Sequence, residues 1–174
     1  MTAAPTPVTR STVRALVLDA DDRLLLERYL APTVHRPDGL PHREPVWIAP
    51  GGGLEPGETA EAGLERELWE ETGIEGVSWG PWLWLRTADL HYQGRVRRFV
   101  ERYRLGRVAA VAPHAQPTAL DPHEHGALLG YRWWRVPELL ATTDVVYPPR
   151  RAERLAAVLA GAVTDAVVDI SHEG

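Results

Sequence analysis

Residues 52–74 read GGLEPGETAEAGLERELWEETGI, a glycine turn followed by a carboxylate-rich segment with helical spacing that stops at Gly73. Thr59 suits the N-cap, and Glu61 places negative charge in the first turn, where the helix dipole favours it. Gly73 suits the left-handed residue that closes a helix. Glu67, Glu70 and Glu71 stand at i, i+3 and i+4, on one arc of the predicted helix over 59–72, while Leu64 and Leu68 begin an adjacent apolar stripe. Like charges at this spacing repel by a few tenths of a kcal/mol per pair. A divalent cation is the simplest group to offset that repulsion.

The chain has 174 residues and no cysteine, so one compact domain is expected and thiol chemistry is excluded. Its N-terminus lacks the apolar core of a signal peptide, and no later run could span a bilayer, so a cytoplasmic protein is expected. The net charge of −5 gives no overall attraction to nucleic acid or an acidic membrane. An anionic substrate would need locally placed cations.

Outward from the central segment, Ser11–Leu18 and Arg23–Arg28 are expected strands joined at Ala20-Asp21-Asp22, after a frayed lead-in over 1–10. Proline-rich residues 30–45 predict a long loop, and Val46–Ile48 a short strand feeding the glycine turn. Val77–Leu90 and Val96–Val108 predict a hairpin turning at Gln93-Gly94. A loop over 112–129 precedes a strand at Tyr131–Val136, a short helix from Pro137, and an amphipathic helix over Pro149–Ala160. The tail, 161–174, is open between a strand at Ala166–Ile170 and disorder. A mixed sheet with helices around it, an α/β fold over 11–160, follows from this order.

The central segment resembles the Nudix box: Gly, five residues, Glu, seven residues, Arg-Glu, an aliphatic residue, any residue, Glu-Glu, any residue, Gly, aliphatic. Gly52, Glu58, Arg66, Glu67, Leu68, Glu70, Glu71, Gly73 and Ile74 fill every fixed position. The lead-in Pro50-Gly51-Gly52-Gly53 and the turn Glu55-Pro56-Gly57-Glu58 are also typical of the family. Arg132-Trp133-Trp134 followed by Pro137-Glu138-Leu139 is similar to a common Nudix ending. The resemblance implies an α/β/α sandwich with a mixed sheet, and Mg²⁺- or Mn²⁺-dependent hydrolysis of a nucleoside diphosphate linked to another group, by water attack on phosphorus. It implies Glu67 and Glu71 as metal ligands with Glu70 a third, and either Glu67 or Glu70 as base; the main-chain carbonyl of Gly52 is a further candidate ligand. Arg66 stays protonated, so its role is to pair with Glu58 or a box carboxylate. A nucleotide-type small-molecule substrate is expected as partner, and family habit makes a homodimer plausible.

Other positions carry two readings. Gly63 replaces a common Ala, either for close approach or as neutral drift, and Glu65 replaces a common aliphatic residue. Glu124 could be a distal ligand or base or an ordinary loop residue; the flanking His123 and His125 are weak indications of zinc. Arg86, Arg102 and Arg104 could contact phosphates or be solvated strand residues. Trp82 and Trp84, expected on one strand face, could stack a base or belong to the core. Tyr92 has a spacing resembling that of some diadenosine polyphosphate hydrolases. The rival enzyme on this fold, an isopentenyl diphosphate isomerase, lacks its cysteine here; the rival of another class is a non-catalytic, nucleotide-binding regulatory module.

Overall fold

A computed structural model describes residues 7–30, 34–35, 44–92, 95–109, 128–162 and 166–172, with the main chain alone at 34–35 and 91–92. Strands are β1 (Val8–Leu18), β2 (Leu24–Tyr29), β3 (Val34–His35), β4 (Val46–Ile48), β5 (Ser78–Tyr92), β6 (Arg95–Arg107), β7 (Leu128–Trp134), β8 (Val145–Val146) and β9 (Val168–Asp169). Helices are α1 (Ala60–Thr72), α2 (Val136–Ala141) and α3 (Arg151–Leu159). The sheet runs β3-β5-β6-β1-β2-β4-β8, with β7 also on β2 and β9 on β5. It is mixed: β1–β6 is parallel, whereas β5–β6 and β2–β7 are antiparallel. β1 begins at Val8, earlier than the Ser11 expected, because Val8 already pairs with Arg97 on β6.

Both sheet faces are covered, which is why Val13–Leu18 of β1, Arg14 apart, and Leu24–Leu26 of β2 are continuous apolar runs. Alternate side chains go to opposite faces. Val13, Ala15, Val17 and Leu25 pack under α1 with Leu64, Leu68 and Ile74. Leu16, Leu18, Leu24 and Leu26 face α2 and α3, with Trp47, Trp84, Tyr103, Trp134, Leu139 and Leu155. The result is an α/β/α sandwich. Leu64 and Leu68 are essentially fully buried, which stabilises α1 by about 3–6 kcal/mol in all. That outweighs the few tenths per pair of carboxylate repulsion, so the helix forms with its acidic arc intact.

The termini of α1 follow the sequence closely. Thr59 is an extended N-cap (φ −77°, ψ 157°) whose side chain accepts from the Ala62 N–H at 3.2 Å. Gly73 is left-handed (φ 68°) and its N–H donates to Trp69 O at 2.7 Å.

β1 and β2 meet only at Leu18–Leu24, and the glycine loop occupies the edge of β1 that this leaves. Val13 N–H donates to Gly52 O (3.0 Å), Ala15 N–H to Pro50 O (2.8 Å), and Leu54 N–H to Ser11 O (3.0 Å). The loop is therefore held like an irregular strand, and its peptides are carried to the end of α1's acidic arc.

Candidate functional site

Arg66 is the hub of the acidic arc. Its Nε and Nη2 donate to Glu58 Oε1 and Oε2, both at 2.9 Å, as a bidentate pair. Its Nη1 donates to Glu67 Oε1 at 3.0 Å and to Glu70 Oε2 at 3.1 Å, and Nη2 also reaches Gly53 O at 3.1 Å. One guanidinium thus fixes three carboxylates and the loop. These bonds, to Glu58 first, raise its pKa further, so Arg66 is a permanent cation and no base. The Arg66 bonds, with that from the Glu55 N–H, hold Glu58 down at about 2.

A stability prediction follows from Glu58. Its folded pKa is depressed from an ordinary 4.5 to about 2, so its contribution is complete above the unfolded value and is lost as pH falls towards the folded one. Acid titration of unfolding should show stability declining across that window in the wild type, and declining less in Glu58→Gln. Superimposable profiles would exclude the pair as a contributor.

Glu67 lies against Gly52: a Cβ at position 52 would sit 2.4 Å from Glu67 Oε2. Glu71 is buried, and its Oε2 accepts from the Gly51 N–H at 2.6 Å. Burial first, then the neighbouring Glu27 carboxylate on β2, push the Glu71 pKa well above its ordinary value, with Arg14 opposing. Tyr131 on β7 donates its hydroxyl to the Glu71 main-chain carbonyl, fixing the last turn of α1. Gly63 is a place of close approach: a Cβ there would lie 2.4 Å from Leu54 Cδ2 and 2.8 Å from Glu58 Oε2.

The donor set around the loop is hard oxygen: Glu67, Glu70, Glu71 and the Gly52 carbonyl. Among the described residues no three acidic or imidazole side chains converge on one point as a preformed site. The fit to a divalent cation rests on two observations. The space a side chain at 52 would fill is taken by the Glu67 carboxylate, and Glu71 stands near Glu27 with its charged form disfavoured. A hard dication suits such ligands.

The other predicted residues are dispersed. Arg86 is buried on the α3 face, donating from Nη1 to Glu101 Oε2 at 2.8 Å. Arg102 and Arg104 lie on the α1 face. Arg104 stacks beside Trp79 and Trp82, with centroid distances of 5.8 and 5.3 Å, and Arg102 is exposed near Glu61. The three arginines expected at phosphates are therefore not brought together. Trp82 and Trp84 do not share a face either. Register shifts between Trp79/Trp82 and Trp82/Trp84 send Trp82 to α1, where its Nε1 donates to Glu61 at 3.1 Å, and Trp84 into the opposite core. Pro81 has no N–H to give the ladder, which accounts for the first shift. Trp79 likewise donates to Glu65 at 3.1 Å, which explains a carboxylate at 65. Tyr92 ends β5, opposite Arg95 on β6 and Val34 on β3, and its side chain is outside the described residues, as are Glu124, His123 and His125.

Sequence reading missed Arg14, Glu27, Glu101 and Tyr131. Arg14 on β1 donates to the main-chain carbonyls of Ala49 (3.2 Å) and Gly51, with its Nε 3.7 Å from Glu101 Oε1. For Arg14 and Glu27 the available signal was a charge set against apolar neighbours, in VRALVL and LLLERY.

No helix among the described residues is long and apolar enough to cross a membrane. A MutT-like protein from Streptomyces ambofaciens is 39% identical over 72 residues, which cover 41% of this chain and 39% of that protein, so the match spans about two fifths of the relative's length. The MutT protein of Methanosarcina mazei superposes with a TM-score of 0.62 at 19% identity, over 91% of this chain and 99% of that one. A C. elegans Ap4A hydrolase superposes with a TM-score of 0.59 at 17% identity, over 87% and 98%. These superpositions share the sandwich just described. The NUDIX domain family model matches residues 8–155, spanning the sheet except β9, the filled box and the first half of α3, and the chain belongs to the Nudix family.

Proposed function

We propose that the protein is a Nudix pyrophosphohydrolase that uses water to cleave a phosphoanhydride bond in a nucleoside diphosphate linked to another moiety. The observation carrying this reading is the Arg66-centred arrangement of Glu58, Glu67 and Glu70 beside Gly52. Glu67, Glu70, Glu71 and the Gly52 carbonyl would hold Mg²⁺ or Mn²⁺. Bound there, the cation supplies charge neutralisation and a lowered pKa for ligated water.

The protein's own groups have separable tasks. Arg66 fixes the rotamers of Glu67 and Glu70 through one nitrogen, so that neither needs to be ordered when substrate arrives. Glu67 or Glu70 takes the proton from the attacking water as its oxygen bonds to phosphorus. The bond from phosphorus to the bridging oxygen breaks, leaving two phosphorylated products. Glu71, held by the Gly51 N–H, ties the loop to the helix.

The test is product release from nucleoside triphosphates, ADP-ribose, NADH, diadenosine polyphosphates and nucleotide sugars, with Mg²⁺, Mn²⁺ or chelator, beside Glu70→Gln. Cation-dependent cleavage of one compound class, lost in the variant, is expected. Nucleotide binding with no cleavage anywhere in the panel would overturn the hydrolase reading in favour of a binding module.

A further inference from the structure

Arg151, the first residue of α3, is 2% exposed, and its Nε and Nη1 have no hydrogen-bond acceptor among the described residues. A buried guanidinium is tolerated when it is paired and its N–H groups are satisfied. Its surroundings are defined by three adjacent strands. Arg86 on β5 is opposite Glu101 on β6, and Tyr103 on β6 is opposite Arg14 on β1. All four side chains lie on the face covered by α3. The Arg151 guanidinium carbon is 5.9 Å from the Tyr103 ring centroid. Tyr103 itself donates to Glu101 Oε2 at 3.1 Å. Arg86 Nη2 donates to Tyr147 Oη at 3.0 Å and lies over the Tyr147 ring. Tyr147 and Arg14 are partly exposed.

The charges do not balance. Among the described residues, Arg14, Arg86 and Arg151 share a single close carboxylate, Glu101. Arg14 also feels Glu71 and Glu27 on its other side. Even with Arg14 set against those two, Arg86 and Arg151 exceed Glu101 by one positive charge. Burial, with Arg14 nearby, lowers the Arg151 pKa to about 10, which leaves it charged at neutral pH. The same Arg14 touches the Gly51 carbonyl of the box loop, so the cluster adjoins the proposed reaction site.

We propose that Arg151, with Arg86 and Arg14, forms a binding site for a phosphate group beside the box, separate from the anhydride held by the glutamates. A phosphate carries about −1.5 to −2 charge at pH 7 and acceptor oxygens suited to guanidinium N–H groups, which matches both the excess charge and the orphaned donors. The assignment of that phosphate to a substrate rests on the hydrolase reading above; the site itself does not.

The protein is titrated calorimetrically with inorganic phosphate in chelator, so that the box glutamates cannot recruit the anion through a cation. Wild type and Glu70→Gln should bind phosphate alike, and Arg151→Met should bind it about tenfold or more weakly. Phosphate should raise the Tm of the wild type and not that of Arg151→Met, while the variant without phosphate melts no lower than the wild type, having lost an unsatisfied buried charge. Arg151→Lys keeps charge without the planar fork, should also weaken phosphate severalfold, and serves if the methionine variant does not fold. Equal phosphate affinity in wild type and the Arg151 variants overturns the site. Absence of binding together with a lowered Tm in Arg151→Met also overturns it, since Arg151 would then be structural. With cation present, a rise in KM of Arg151→Met for nucleoside triphosphates but not for ADP-ribose assigns the phosphate to the substrate. Relief of inhibition by added inorganic phosphate, with KM unchanged for every substrate, assigns it to free phosphate. Loss of hydrolysis in the panel with phosphate binding retained would reject the hydrolase reading and leave this site standing.

Discussion

Glu67→Gln should reduce turnover by about 10²–10⁴-fold while leaving the melting temperature within a few degrees of wild type. The substitution is isosteric and keeps an oxygen to accept from Arg66 Nη1, now 3.0 Å from Glu67 Oε1. It removes the negative charge that a metal or a water proton requires and turns one acceptor oxygen into an N–H donor. Arg66 retains its bidentate bonds to Glu58 and its bond to Glu70, so α1 and the loop stay joined. The carboxylate also lies against Gly52, where even a methyl group would fall 2.4 Å from its Oε2. That contact leaves little room for a displaced rotamer to substitute for the lost charge. Steady-state kinetics on the substrate found in the panel, paired with thermal melts, separate the two effects. Turnover within fivefold of wild type would remove Glu67 from the chemistry and leave Glu70 as the base to test.

How far such roles can be read in advance depends on how local the determining physics is. The box helix was legible because its caps, its apolar stripe and its acidic arc all lie within 59–73 and obey one period. A mixed sheet with helices around it was legible from the order of the elements, whereas the α/β/α layering came only through the resemblance of the box to its family. The hairpin was predicted as a pair of strands but not in its facing. A period of two assigns Trp82 and Trp84 to one side, whereas two register shifts place them on opposite sides. Pro81 was the visible warning, since a residue without an N–H interrupts the ladder wherever it stands. Arg86 was likewise separated from Arg102 and Arg104 by parity on two different strands, which no count along one strand reveals.

The parts that were not legible are those made by distant segments. β8 and β9 are two residues each; β8 had no pattern to show, β9 was left open between a strand over Ala166–Ile170 and disorder, and both exist because neighbours supply the partners. Ile170, for instance, is buried against β5 with its N–H on Leu85 O at 2.8 Å. Arg14 and Glu27 could be seen only as charges beside apolar runs, and Arg151 only as one arginine of PPRRAER; their meaning came from what the sheet sets opposite them. The glycine loop belongs to this class too. Its composition announced a turn, but its docking along the free edge of β1 is a tertiary fact, and it makes the loop a structural element in its own right.

Gly51 is where that docking should be most costly to disturb, and Gly51→Ala is expected to destabilise the protein by about 3–5 kcal/mol. Gly51 adopts φ +132°, a region that side-chain-bearing residues avoid, and an added Cβ would lie 2.1 Å from Val13 O and 3.0 Å from Arg14 Cα. Both obstacles are backbone atoms of β1, so no rotamer change relieves them; the loop must move off the strand. Moving it breaks the Gly51 N–H bond to Glu71 and strains the neighbouring Val13–Gly52 and Ala15–Pro50 bonds. Stability and the geometry of the acidic arc should therefore fail together, with Tm lower by about 10 °C or more for a chain of this size. Gly57→Ala is the control. Gly57 has φ +83° but nothing within 4 Å of an added Cβ, so it carries the conformational penalty alone, about 1 kcal/mol. Melting the two variants side by side isolates the contact with β1 from the cost of the backbone angle. If Gly51→Ala melted within about 2 °C of Gly57→Ala, a margin under roughly 1 kcal/mol, the loop would not be held by its packing on β1. Its position beside Glu67 and Glu71 would then have to come from Arg66 and the helix alone.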